Sequence, residues 1–117
     1  MREDGKIDYI EWPGGDLPAT KAFYSAAFGW RFTDYGPDYV AFEGEGADGG
    51  FAKPQDGSSD RPLVILYAHD LEAMLDKVVA AGGTITAPIF GFPGGRRFHF
   101  TDPSGNELGV WSAAAGA

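Results

Sequence analysis

Cysteine is absent from the 117 residues, so the chain has no disulfide framework, no cysteine zinc site and no thiol nucleophile. Basic residues are scarce. Nine Lys and Arg stand against 17 Asp and Glu, a net charge of −8. A molecule with that balance repels nucleic acid and anionic membrane surfaces, and neither is expected as a partner. No apolar run suits a membrane span: the longest uncharged stretch, Val78 to Gly95, contains five Gly and two Pro and would not stay helical in lipid. The start, Met1-Arg2-Glu3-Asp4, is acidic with no apolar h-region behind it, so no signal peptide is expected and the cytoplasm is the default location. The glycine-rich stretches, Gly44 to Gly50 and Gly91 to Gly95, lack the G-x-x-x-x-G-K-[ST] form and do not lead into helices. They read as turns between strands.

What is present is a globular composition. Hydrophobic residues make up 44% and aromatics 15%, too rich for disorder, while 18 Gly and 8 Pro mark a chain that turns often. The length predicts one domain, residues 1–117, large enough to bury about two-thirds of its unfolded surface without staples.

Two segments carry helical spacing. Leu71, Met74, Leu75 and Val78 follow the i, i+3, i+4, i+7 rule, with Asp70 as N-cap and Gly82-Gly83 as stop. Asp16, with Pro18 in the first turn, caps a second helix whose stripe is Leu17, Thr20, Phe23, Tyr24 and Ala27, ended by Gly29. Strand character appears at Ile7 to Trp12, Trp30 to Asp34, Tyr39 to Glu43, Gly50 to Ala52, Leu63 to Tyr67, Thr84 to Ala87, Arg97 to Thr101 and Leu108 to Trp111. The order is strand, helix, three strands, twice. Asp16-Leu17 and Asp70-Leu71 lie 54 positions apart, and the same offset carries the first helix stop onto the second, which predicts an internal repeat. The modules fall at about residues 5–54 and 61–113, joined by a polar connector from Pro54 to Pro62.

The residues Asp16-Leu17, Ala22-Phe23-Tyr24 and Phe28-Gly29-Trp30, followed by Phe100-Thr101-Asp102-Pro103-Ser104-Gly105-Asn106, resemble the glyoxalase, bleomycin-resistance and extradiol-dioxygenase superfamily, also called vicinal oxygen chelate. The resemblance spans nearly the whole chain. It implies an α+β fold of two βαβββ modules whose mixed sheets curl around a cavity, usually within a dimer. In metal-dependent members it also implies a divalent ion held by His and carboxylate groups on the first and last strands of the modules. Carried over by the motifs, those positions fall on Tyr9, Leu63 and Gly109, with a fourth near Gly50 or Phe51. A neutral phenol, a leucine and a glycine are poor donors or none, so neither metal nor other cofactor is expected, and without the ion the family's Lewis-acid chemistry has no electrophile.

Strand alternation then selects the side chains expected to share the cavity face: Ile7 and Glu11 with Tyr9, Ile65 and Tyr67 with Leu63, Glu107 and Trp111 with Gly109. In Arg96-Arg97-Phe98-His99-Phe100 the two Phe pack under a helix and leave Arg97 and His99 on the cavity side. The resemblance places a substrate contact of fosfomycin-modifying relatives at His99. The candidate ligand-binding residues are therefore Tyr9, Glu11, Arg97, His99, Glu107 and Trp111, expected to converge across both modules. Trp12, beside Glu11, joins them as an aromatic neighbour. Trp30, Tyr35, Tyr39 and Trp111 either line an aromatic pocket or fill the sheet–helix core or a dimer interface. His69, just before the Asp70 cap, reads as a surface loop residue.

Three functions follow from this set. The first is a small-molecule-binding protein, a homodimer whose acidic, aromatic cavity sequesters a cationic or aromatic ligand. The second is a metal-free isomerase, epimerase or lyase in which His99, the candidate catalytic residue, transfers a proton with Glu11, Glu107 or Arg97. The third is a metal enzyme with ligands shifted to Glu11, His99 and Glu107, which requires register slips that the repeat argues against.

Overall fold

A computed structural model describes residues 2–54 and 60–114. The polar run Gln55 to Ser59, at the heart of the expected connector, lies outside the described residues. Ten elements follow in order: β1 (Ile7–Pro13), α1 (Leu17–Phe28), β2 (Phe32–Asp34), β3 (Tyr39–Phe42), β4 (Gly49–Ala52), β5 (Leu63–Tyr67), α2 (Leu71–Ala80), β6 (Thr84–Phe92), β7 (Gly95–Thr101) and β8 (Glu107–Ala113). The βαβββ order occurs twice, giving the α+β fold anticipated from the sequence. The chain divides into two compact units, Tyr9–Leu63 and, together, residues 2–8 and 64–114.

In the first unit the strands lie in the order β2-β3-β4-β1. β1 and β4 run parallel, with Glu11 opposite Gly50, and the remaining pairs are antiparallel. Helix α1 starts where the Asp16 carboxylate accepts the Ala19 N–H at 3.0 Å. It stops at Gly29, whose φ of 73° is the left-handed C-cap conformation that suits glycine. Leu17, Val40, Phe42 and Phe51 form the buried core, with Trp12, Tyr24, Trp30 and Phe32 packed against it. Trp30 thus belongs to the core, its ring 4.6 Å from that of Phe42. Trp12 stacks on Phe42 and Phe51, because alternation along β1 sends it to the helix side, away from Glu11. Tyr24 takes the inward line of α1, so Phe23, one residue and about 100° before it, is 58% exposed instead of sharing the buried stripe.

In the second unit the order is β5-β8-β7-β6, again with the first and last strands of the module parallel. Asp70 caps α2 through the Ala73 N–H at 3.0 Å. Phe98, Phe100, Val110, Leu71 and Ala68 are buried together, and Met74, Leu75 and Val78 of the helix pack on them. The two phenylalanines of β7 therefore lie under α2. β6 runs well past the expected Ala87, through Pro88 to Phe92, with irregular register between Ile85 and Phe90. Proline is tolerated because β6 is the last strand in the order and need not donate every backbone N–H. Asp102 organises the β7–β8 turn by accepting the Ser104 and Asn106 N–H groups, each at 2.9 Å. Residues 2–8 belong with this unit: Gly5 N–H donates to the Tyr67 carbonyl and Tyr67 N–H to that of Lys6.

Candidate functional site

In the first unit, Tyr9 of β1 and Tyr39 of β3 meet across the sheet, their hydroxyl oxygens hydrogen-bonded at 2.6 Å. They can do so because position 50, on the strand between them, is glycine. A Cβ there would collide with the Tyr39 hydroxyl and lie 2.8 Å from that of Tyr9. Burial, opposed by the hydrogen bond from Tyr39 and aided by the nearby Glu11 charge, pushes the Tyr9 phenol up to about 12. Tyr39 is displaced upward still more strongly, first by burial and then by the Glu11 charge beside it. Both are neutral phenols at any physiological pH, grouped with the Glu11 carboxylate. Tyr35, by contrast, is exposed.

In the second unit, Arg97, His99, Glu107 and Trp111 occupy the sheet face opposite the Phe98–Phe100 core. Arg97 pairs in register with Phe90 on one side and Trp111 on the other. Its guanidinium carbon lies 5.3 and 5.6 Å from the ring centroids of Phe90 and Phe92. The Phe92 and Trp111 rings are 6.1 Å apart. His99 sits opposite Gly109, where the missing side chain leaves room for the imidazole: a Cβ on Gly109 would be 3.3 Å from its Cδ2. His99 Nδ1 is 3.9 Å from Glu107 Oε2, and Thr86 Oγ1 donates to that same oxygen at 2.9 Å. Trp111 donates its indole N–H to Asp8 at 2.9 Å. Arg2 lies over the Trp111 ring at 4.8 Å and pairs with Asp8 at 3.4 Å. Ile7, selected by alternation, is instead 70% exposed. His69 is a surface residue hydrogen-bonded to Asp4 at 2.7 Å.

A divalent ion does not fit the residues that the sequence resemblance assigns to it. Tyr9 is a half-buried neutral phenol already hydrogen-bonded to Tyr39, Gly50 and Gly109 have no side chains, Phe51 is core, and Leu63 has no donor atom. Among the described residues no three His, Asp or Glu side chains are grouped to hold one. The sequence reading missed Tyr39 as the partner of Tyr9, and Thr86, Phe90 and Phe92 around His99 and Arg97. These neighbours depend on cross-strand register, which alternation within one strand does not reveal. Asp8 and Arg2 carried no signal beyond their charge.

A family model described as "Glyoxalase/Bleomycin resistance protein/Dioxygenase superfamily" matches residues 6–110. The chain is 29% identical over 120 residues to a protein named "Putative glyoxylase CFP32" in Mycobacterium bovis and Mycobacterium tuberculosis. That match covers 93% of this chain and 46% of the relative, so the chain spans about half the length of the curated relatives it matches. The fold is similar to that of methylmalonyl-CoA epimerase from Mycobacterium tuberculosis, with a TM-score of 0.72, 14% identity, and coverage of 97% of this chain and 91% of the other. It is similar also to a superfamily member from Vibrio splendidus, with a TM-score of 0.71, 16% identity, and coverage of 92% and 97%.

Proposed function

From the membership of this chain in the glyoxalase/bleomycin resistance protein/dioxygenase superfamily, we propose that it binds a small organic molecule without the family's metal centre, and that the ligand is cationic or aromatic. The observation that carries this reading is the Tyr9–Tyr39 pair: a first-strand position suited to a metal ligand holds a half-buried neutral phenol, packed across Gly50 against a second one. Two phenols beside Glu11 suit a cationic group, and the aromatic ledge of Phe90, Phe92 and Trp111 suits a planar one. The net charge of −8 draws cations to both. The test is titration of the protein with metal-free bleomycin, a cationic glycopeptide with aromatic rings, in the presence of EDTA. Saturable quenching of tryptophan fluorescence is expected. Binding that appears only when a divalent metal is added, or no binding at all, overturns the reading.

The contact between His99 and Glu107 favours a second reading, a metal-free proton-transfer enzyme. Glu107, fixed by Thr86, lies where it can orient the imidazole and stabilise its charged form. In that case His99→Ala lowers turnover about 10²-fold or more with little change in affinity, and the rate follows a titrating group. In a binding protein the same substitution changes affinity alone.

A further inference from the structure

The corner formed by Tyr67, Trp111 and Asp8 is built like a cation site, and the chain itself fills it. The Tyr67 and Trp111 rings meet at 81° with centroids 5.2 Å apart, presenting two aromatic walls. The third wall is the Asp8 carboxylate, which the Trp111 indole N–H holds in place at 2.9 Å. Into this corner comes the Arg2 guanidinium, 4.8 Å from the Trp111 centroid and 5.9 Å from that of Tyr67, with its Nε 3.4 Å from Asp8. The walls and the occupant differ in how firmly they are held. Tyr67 is buried, and Asp8 is fixed by a short hydrogen bond that does not involve Arg2. The Arg2 side chain is 53% exposed, and its ion pair is long. The backbone behind it is anchored separately, by Gly5 on the Tyr67 carbonyl and by Asp4 on His69. Arg2 can therefore swing out while the N-terminal segment stays docked.

We propose that Tyr67, Trp111 and Asp8 form a binding site for a guanidinium, amidinium or alkylammonium group, and that Arg2 is a tethered occupant which such a ligand displaces. The proposal rests on the reading of this protein as a binder of cationic or aromatic molecules, and it names the site and the chemical group. Arg2 competes from within the molecule, so it lowers apparent affinity by the ratio of closed to open corner. Two exposed cation–π contacts with one long ion pair make that ratio about three to ten.

The probe is benzamidine, an amidinium on a phenyl ring, followed by the nitrogen-15 and proton shifts of the Trp111 indole N–H. Benzamidine is expected to move that resonance in the wild type and to return the ring-shifted Arg2 side-chain protons to free-chain values. Arg2→Gln should bind benzamidine about three- to tenfold more tightly. Adding Asp8→Asn to it should weaken binding at least about tenfold, with the indole N–H still dispersed as a sign that the fold persists. Equal affinity of wild type and Arg2→Gln, or benzamidine shifts that spare the Trp111 indole, overturns the proposal. The bleomycin titration distinguishes the two claims. Bleomycin binding with no Arg2→Gln effect refutes the corner alone, whereas failure of both benzamidine and bleomycin to bind removes the broader reading and the corner with it.

Discussion

Replacing Gly50 by Ala tests whether the tyrosine pair is built around a missing side chain. The new Cβ would stand 2.6 Å from Tyr39 Cζ and 2.8 Å from the Tyr9 hydroxyl oxygen, where ordinary contact begins near 3.4 Å. One or both rings must retreat by most of an ångström, and neither is free to do so, since both are largely buried between strands β1, β4 and β3. Overpacking of this kind costs about 1–3 kcal/mol. Separating the hydroxyls breaks a hydrogen bond between part-buried groups, about 0.5–1.5 kcal/mol more. The sum of about 1.5–4.5 kcal/mol corresponds to a fall in Tm of roughly 6–18 °C for a domain of this size. Thermal unfolding followed by circular dichroism measures it. Tyr39→Phe removes one of the three clashing atoms and the hydrogen bond that Gly50→Ala also breaks, while Cζ remains, so the double variant Gly50→Ala/Tyr39→Phe should be more stable than the two single losses predict, by about 1 kcal/mol. A Gly50→Ala protein that melts within about 2 °C of wild type, or strictly additive losses, would refute the packing argument.

Three other outcomes follow. Tyr9, raised to about 12 in the folded state, should show no phenolate absorbance step below about pH 11 in the difference between wild type and Tyr9→Phe. Because its folded value is above its unfolded value, the stability it contributes is complete below about pH 10 and is lost as pH rises from 10 toward 12, which chemical denaturation at stepped pH will register. Phe98→Ala should cost about 3–5 kcal/mol in the same kind of denaturation experiment, since the ring is fully buried beneath α2, and a loss under about 1 kcal/mol would contradict that placement. Sedimentation at micromolar concentration should show a homodimer, because Phe23 and Phe28 are 58% and 64% exposed on a helix whose one charged side chain, Lys21, is paired with Asp34. A monomer alone counts against it.

Much of this architecture was legible in the chain because it is local. Asp16 and Asp70 each precede an apolar stripe by one residue, and both prove to be N-caps. Alternation in Arg97-Phe98-His99-Phe100 divides the strand between core and opposite face as the two-residue period requires. Other features depend on which strand lies beside which, and that is not a local property. Nothing near Tyr9 announces Tyr39, thirty positions away, and the glycine that permits their contact reads in the sequence as the end of a glycine-rich turn and the start of a short strand, with no sign of the two rings it admits. Phe90 and Phe92 reach Arg97 only because β6 continues through Pro88 with shifted register. Phe23 obeys helical spacing but is left outside because Tyr24 satisfies the core first, stacking on Trp30 and against Phe51.

Neither the residues around Tyr9 in the first unit nor those around Gly109 in the second should retain a divalent ion. Elemental analysis by inductively coupled plasma mass spectrometry, after incubation with excess manganese, zinc or nickel and removal of free metal, tests it directly. Well under one ion per chain is expected for every metal. One tightly held ion per chain, lost when Tyr9 is changed to Phe, would contradict it.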